Sequence, residues 1–85
     1  MMKLNETTVF MNSDDYRDRF KAEYYQTKIR YEKLHTMLVK KEAGTLDFTP
    51  RTPIDVLEKQ ACFMGNYLKQ LEIRAEIEGI DLKED

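Results

Sequence analysis

The stretch Ala43-Gly44-Thr45-Leu46-Asp47-Phe48-Thr49-Pro50-Arg51-Thr52-Pro53-Ile54-Asp55 divides two long runs of helical periodicity, and its reading decides the fold. Gly44 can take the positive φ that closes a helix, and Lys40 and Lys41 before it suit the negative end of the helix dipole. The first helix is therefore expected to stop at about Ala43. Thr52-Pro53 reads as a start signal: the threonine hydroxyl can accept an orphan amide, the proline suits the first helical position, and Asp55 adds negative charge to the first turn. A second helix is expected from Pro53.

Outward from this elbow, each run carries a heptad seam. Upstream it is Phe20, Tyr24, Thr27, Tyr31, Leu34, Leu38; downstream it is Ile54, Leu57, Ala61, Met64, Leu68, Leu71, Ala75. Folding the second helix back on the first pairs residues of constant index sum. Leu38/Leu57, Leu34/Ala61, Tyr31/Met64, Thr27/Leu68, Tyr24/Leu71 and Phe20/Ala75 all sum to 95. Large residues then face small or flexible ones, as interdigitating layers require. The expected fold is all-α: an antiparallel two-helix hairpin, helices about 14–43 and 53–78, that oligomerises into a helical bundle. Leu46 and Phe48 are expected to fold over the open end of the seam. Asn12 or Ser13 reads as the first cap, with Asp14 and Asp15 in the first turn.

The ends are less regular. Residues 1–12 read as a flexible or accessory arm; Thr7-Thr8-Val9-Phe10-Met11 has strand propensity, but an isolated strand has no partner in such a chain. Residues 13–85 form the hairpin domain with a short acidic tail, in which Ile80 and Leu82 either dock on a neighbouring subunit or stay disordered. Helix 2 is expected to end near Glu78-Gly79.

Composition narrows the function. Eighty-five residues lie near the lower limit for a self-sufficient core, which favours a homo-oligomer or a partner. Apolar residues are left over beside the seam: Tyr25, Ile29, Met37 and Val39 on the first helix, and Val56, Phe63, Tyr67, Ile73 and Ile77 on the second. The second set predicts self-association. Gly65, inside a helix, calls for the close approach of another backbone or a ligand. No run approaches the roughly 18 apolar residues of a membrane span, and the start lacks the apolar core of a signal peptide. The single cysteine, Cys62, beside the seam, is expected to be buried and structural and fits a reducing cytoplasm.

Catalytic signals are absent. His35 is the only histidine, so neither a two-histidine metal site nor a Ser-His-Asp arrangement is supported, and it is expected on the helix surface. No glycine-rich phosphate loop occurs. The expectation is a protein that is not an enzyme, with no metal and no cofactor. The net charge of −2 and pI near 5.4 argue against duplex DNA as a partner. Charge is nonetheless uneven: residues 13–42 carry eight Lys/Arg against six Asp/Glu, and residues 53–85 carry four against eight.

Aromatic and basic residues interleave where the first helix begins. Rings can stack on a base and arginine can fork onto phosphate, so Tyr16, Arg17, Tyr24, Tyr25, Lys28 and Arg30 are candidate ligand-binding residues. Tyrosines at this spacing on a helix are more often core or interface residues, with the charges between them a solvated face. Thr49, Arg51 and Thr52 form a second candidate group at the elbow, able to reach a ligand across a subunit boundary.

Asp15-Tyr16-Arg17-Asp18-Arg19, Lys33-Leu34-His35-Thr36-Met37-Leu38, Leu57-Glu58-Lys59-Gln60, Met64-Gly65-Asn66-Tyr67-Leu68 and Leu71-Glu72-Ile73-Arg74 together resemble a family of short phage and prophage helical hairpins related to a protein of crAss-like phages. The resemblance covers Asp14 to Leu82. More remotely, the layout is similar to the hairpin domain of anti-CBASS and anti-Thoeris sponge proteins, which assemble as oligomers and sequester cyclic nucleotide or ADP-ribose-derived signals. This implies a phage-encoded counter-defence protein in the host cytoplasm, holding a small phosphorylated signalling nucleotide; the alternative is an interaction module that modulates a host protein complex. No site residue carries over from the sponge proteins.

Overall fold

The computed structural model describes residues 3–83 and contains three helices and, among those residues, no strand. They are α1 (Leu4–Met11), α2 (Tyr16–Ala43) and α3 (Ile54–Glu78), in a body of 43 × 25 × 21 Å. The two-helix expectation is thus corrected by α1. Its threonines do not make a strand: the Thr7 hydroxyl donates to the Leu4 carbonyl at 2.6 Å within the helix and accepts from Gln26 Nε2 at 3.0 Å. Thr7 is fully buried, and that tertiary environment overrides β propensity. Ala22, Gln26 and Ile29 share one face of α2 by their spacing, and α1 covers it.

Helix boundaries follow local chemistry. Asp15, rather than Asn12 or Ser13, caps α2, its carboxylate accepting from the Arg17 amide at 2.9 Å. Ser13 instead braces the turn, accepting from the Asp15 amide and donating to Asp18 Oδ2. Gly44, at φ 80°, ends α2 as expected. Pro53 itself is the cap residue of α3; no side chain bonds the first turn, so Thr52 is not the cap. Gly79, at φ 70°, ends α3.

Helices α2 and α3 run antiparallel, as shown by contacts of falling index: Tyr31 with Gly65, Tyr24 with Glu72, Phe20 with Arg74. The Tyr24/Leu71 and Phe20/Ala75 layers are buried in one cluster with Tyr25, Leu68 and Ile80. The elbow half is looser. Leu34, Leu38, Leu57, Ala61 and Met64 are only half-buried, because nothing covers two helices there. Phe48, expected to cap that end, stays 55% exposed.

Other expectations change as well. The neighbour of Gly65 is the Tyr31 ring of the same chain, not a second backbone or a ligand. Cys62 is exposed, because one residue on from Ala61 the helix has turned by about 100° and carries the thiol off the seam. The tail neither hangs free nor needs another subunit: Ile80 is buried in the core and Leu82 packs on it, while the last two acidic residues lie outside the described residues.

Candidate functional site

Two grooves flank the packed end of the α2–α3 pair. The larger, about 750 Å³, brings together three candidates, Tyr24, Tyr25 and Lys28, with the tail residues Ile80, Leu82 and Lys83 as one wall. The two rings meet edge to face at 5.2 Å, and Lys28 Nζ stands 5.7 and 6.0 Å above them. Their hydroxyls are committed to the fold. Tyr24 donates to Glu72 Oε2 at 2.7 Å and Tyr25 donates to the Leu82 carbonyl. Burial, then the hydrogen bond to Glu72, pushes the Tyr24 phenol far above its ordinary range. With 5% and 4% of their surface exposed, these rings offer little face for stacking. The charge is also unfavourable to phosphate: Lys28 and Lys83 are outnumbered by Glu32, Glu72, Glu76 and Asp81.

The smaller cleft, about 420 Å³, has the opposite balance. It lies where α1, α2 and α3 converge, lined by Met11, Tyr16, Arg19, Phe20, Glu23, Gln26 and Arg74. Its lining holds two guanidinium groups and one carboxylate, Glu23, with Glu78 pairing Arg74 from just outside it. Arg74 is fixed from several directions: Nη2 donates to the Tyr16 hydroxyl at 2.7 Å, Nε pairs with Glu78 at 3.4 Å, and Cζ stands 5.1 Å from the centre of the Phe20 ring. Arg19 donates through Nη1 to the Ser13 carbonyl at 2.8 Å. Tyr16 leans on Phe20 at 6.2 Å and is nearly half exposed, so its ring has a free face. Glu23 is in turn held by Tyr67, whose hydroxyl donates to it; that bond, together with partial burial, raises the Tyr67 phenol above the ordinary value.

Such a cleft can hold a small anion, since guanidinium forks match phosphate and carboxylate oxygens. Arg74 was missed from the sequence because its partner Tyr16 lies 58 residues away. The remaining candidates are dispersed. Arg17 projects from the first turn of α2, and Arg30, two residues from Lys28, points about 160° away from it. Thr49, Arg51 and Thr52 are exposed at the elbow, about 22 Å or more along α2 from Lys28. His35 stacks on Tyr31 at the helix surface, as expected. Among the described residues no group of three or more His, Cys, Asp or Glu is placed to hold a metal ion, and no helix is long and apolar enough to cross a membrane.

Residues 14–77, about three quarters of the chain, match the family model described as Sequestin. No curated protein and no solved structure matches.

Proposed function

The chain belongs to the Sequestin family, and we propose that it is a non-enzymatic sponge that sequesters a small phosphorylated signal. The family name denotes sequestration, and the matched span contains Tyr16, Arg19 and Arg74, the residues that give the cleft its charge and its exposed ring. That cleft is the observation that carries the reading. Phosphate oxygens sit against Arg19 and Arg74, and a base or ribose packs on Tyr16. The signal is a cyclic nucleotide or an ADP-ribose derivative, and the protein is a phage-encoded counter-defence factor that works in the host cytoplasm as an oligomer. Binding is stoichiometric and leaves the ligand chemically intact.

Native mass spectrometry against a panel of cyclic oligonucleotides and ADP-ribose cyclisation products tests this. The expected result is a fixed number of added ligand masses, recovered unchanged on denaturation. Arg19→Ala and Arg74→Gln should each weaken capture at least tenfold with helicity retained. An absence of added mass across the panel would move the function to binding of a host protein.

A further inference from the structure

Helix α1 supplies no residue to the buried apolar cluster, yet it governs one wall of the basic cleft. Gln26 lines that cleft with Arg19 and Glu23, which α2 carries on one face at positions i, i+4 and i+7. Gln26 also ties α1 down, because its Nε2 donates to Thr7 Oγ1 at 3.0 Å. Thr7 is fully buried, and its hydroxyl oxygen lies 2.6 Å from the Leu4 carbonyl oxygen. That carbonyl has no proton to give, so the hydroxyl proton lies between the two oxygens. Towards Gln26 the Thr7 oxygen can therefore only accept. The glutamine must turn its NH2 group to α1, and its carbonyl oxygen Oε1 is the arm directed away from Thr7. Among the described residues no protein group donates to Oε1.

We propose that α1, through Thr7, sets Gln26 as an acceptor of fixed polarity in the cleft, and that this acceptor selects a phosphate ester carrying a free sugar hydroxyl. The inference rests on the reading of the cleft as an anion site. Arg19 and Arg74 offer donors alone. Acceptors come from the α2 wall, as Gln26 Oε1 and the Glu23 carboxylate. One Glu23 oxygen takes the Tyr67 hydroxyl, and the other has no protein donor among the described residues.

A bare phosphate or pyrophosphate satisfies the guanidinium groups but leaves both acceptors unpaired, with a carboxylate close to its own charge. A ribose hydroxyl beside the phosphate fills them, in the way that an acidic side chain binds ribose in dinucleotide-binding folds. Were the Gln26 amide free to turn over, its NH2 group could serve the phosphate as well, and the selection would weaken. Thr7 prevents that turn. It touches no ligand and is a positioning residue, whereas Gln26 reads the sugar.

Calorimetric titration of the full chain with two probes, ADP-ribose and inorganic pyrophosphate, tests the assignment. Thr7→Val keeps the branched shape and removes the hydroxyl; Thr7→Ser keeps the hydroxyl and removes a methyl group. Thr7→Val should weaken ADP-ribose about fivefold, the size of one lost hydrogen bond, and change pyrophosphate by less than about twofold. Gln26→Leu should do the same, and Thr7→Ser should bind both probes as the wild type does. A packing role alone ranks the two Thr7 variants the other way, since serine and not valine leaves a cavity. Without any probe, one Gln26 side-chain amide proton should exchange slowly in the wild type and in Thr7→Ser, and both should exchange freely in Thr7→Val. Unchanged ADP-ribose binding in Thr7→Val, an equal loss on both probes, or a loss confined to Thr7→Ser overturns the proposal. Pyrophosphate binding that Arg19→Ala abolishes would leave the cleft standing as an anion site in each of those cases. A wild-type chain that binds neither probe removes the anion site and this inference together.

Discussion

Replacing glycine by alanine should move stability in opposite directions at two places in this chain. Gly65 lies inside α3 with an ordinary helical backbone, and a β-carbon built there would sit 3.4 Å from Cε1, 3.5 Å from the hydroxyl oxygen and 3.6 Å from Cζ of Tyr31. Those are ordinary contact distances, so the methyl group fills space against the ring without displacing it. Alanine is favoured over glycine in a helix interior by about 1 kcal/mol. Burial of the methyl against Tyr31 adds a few tenths, within the ~0.8 kcal/mol of a fully buried methylene. Gly65→Ala should therefore stabilise by about 1 kcal/mol, which for a domain of this size raises Tm by about 4–8 °C. Gly44 has open space around it but a φ of 80°, so its alanine variant is strained whatever the room; about 1 kcal/mol of stability is lost. Paired urea and thermal melts at one fixed protein concentration make the comparison. If Gly65→Ala is neutral or destabilising, the Tyr31 ring cannot accommodate the contact and the close-packing argument for this layer fails.

Leu71 is almost fully buried, and Leu71→Ala should cost about 3 kcal/mol, within the 2–5 kcal/mol usual for such cavities, read as a lowered urea midpoint with unchanged slope. Removing the Asp15 cap with Asp15→Ala should cost about 1 kcal/mol and fray the start of α2, seen as faster amide exchange at Arg17. The Tyr24 phenol is held neutral in the folded chain, chiefly by burial, whereas it ionises near pH 10 when unfolded. Above that pH the unfolded chain has fewer bound protons, so the stabilisation present below it is lost as pH rises. Stability should fall from about pH 10 upward in the wild type and fall less steeply in Tyr24→Phe, measured by urea melts across that range.

Much of the fold was legible because it is periodic. The seams predicted the buried Tyr24/Leu71 and Phe20/Ala75 layers, and Gly44 and Gly79 marked two helix ends, since only local backbone conformation is at stake there. What escaped depends on distant partners. Thr7 looks like a strand former until Gln26 and the α2 face bury it, and Ile80 looks like a loose tail until it reaches the core. The candidate site divided the same way. Tyr24, Tyr25 and Lys28 do come together, as helical spacing requires, but Glu32, Glu72, Glu76 and Asp81 join them from α2, α3 and the tail. Arg74, by contrast, sits among acidic residues in the sequence and enters a basic cleft only in three dimensions.

The buried cluster lies at the end of the α2–α3 pair remote from the elbow, where α1 and the tail add their side chains. Residues 44–53 contribute little burial, and the seam nearest them is half open. The connection therefore acts as a tether, setting the local concentration of one helix about the other, rather than as a clasp. A peptide bond cut between Thr45 and Thr52 would leave two fragments, α1–α2 and α3 with its tail, that each keep their half of the cluster. Mixed together, they should reassemble as a two-piece protein with the same grooves, bound by the far end alone.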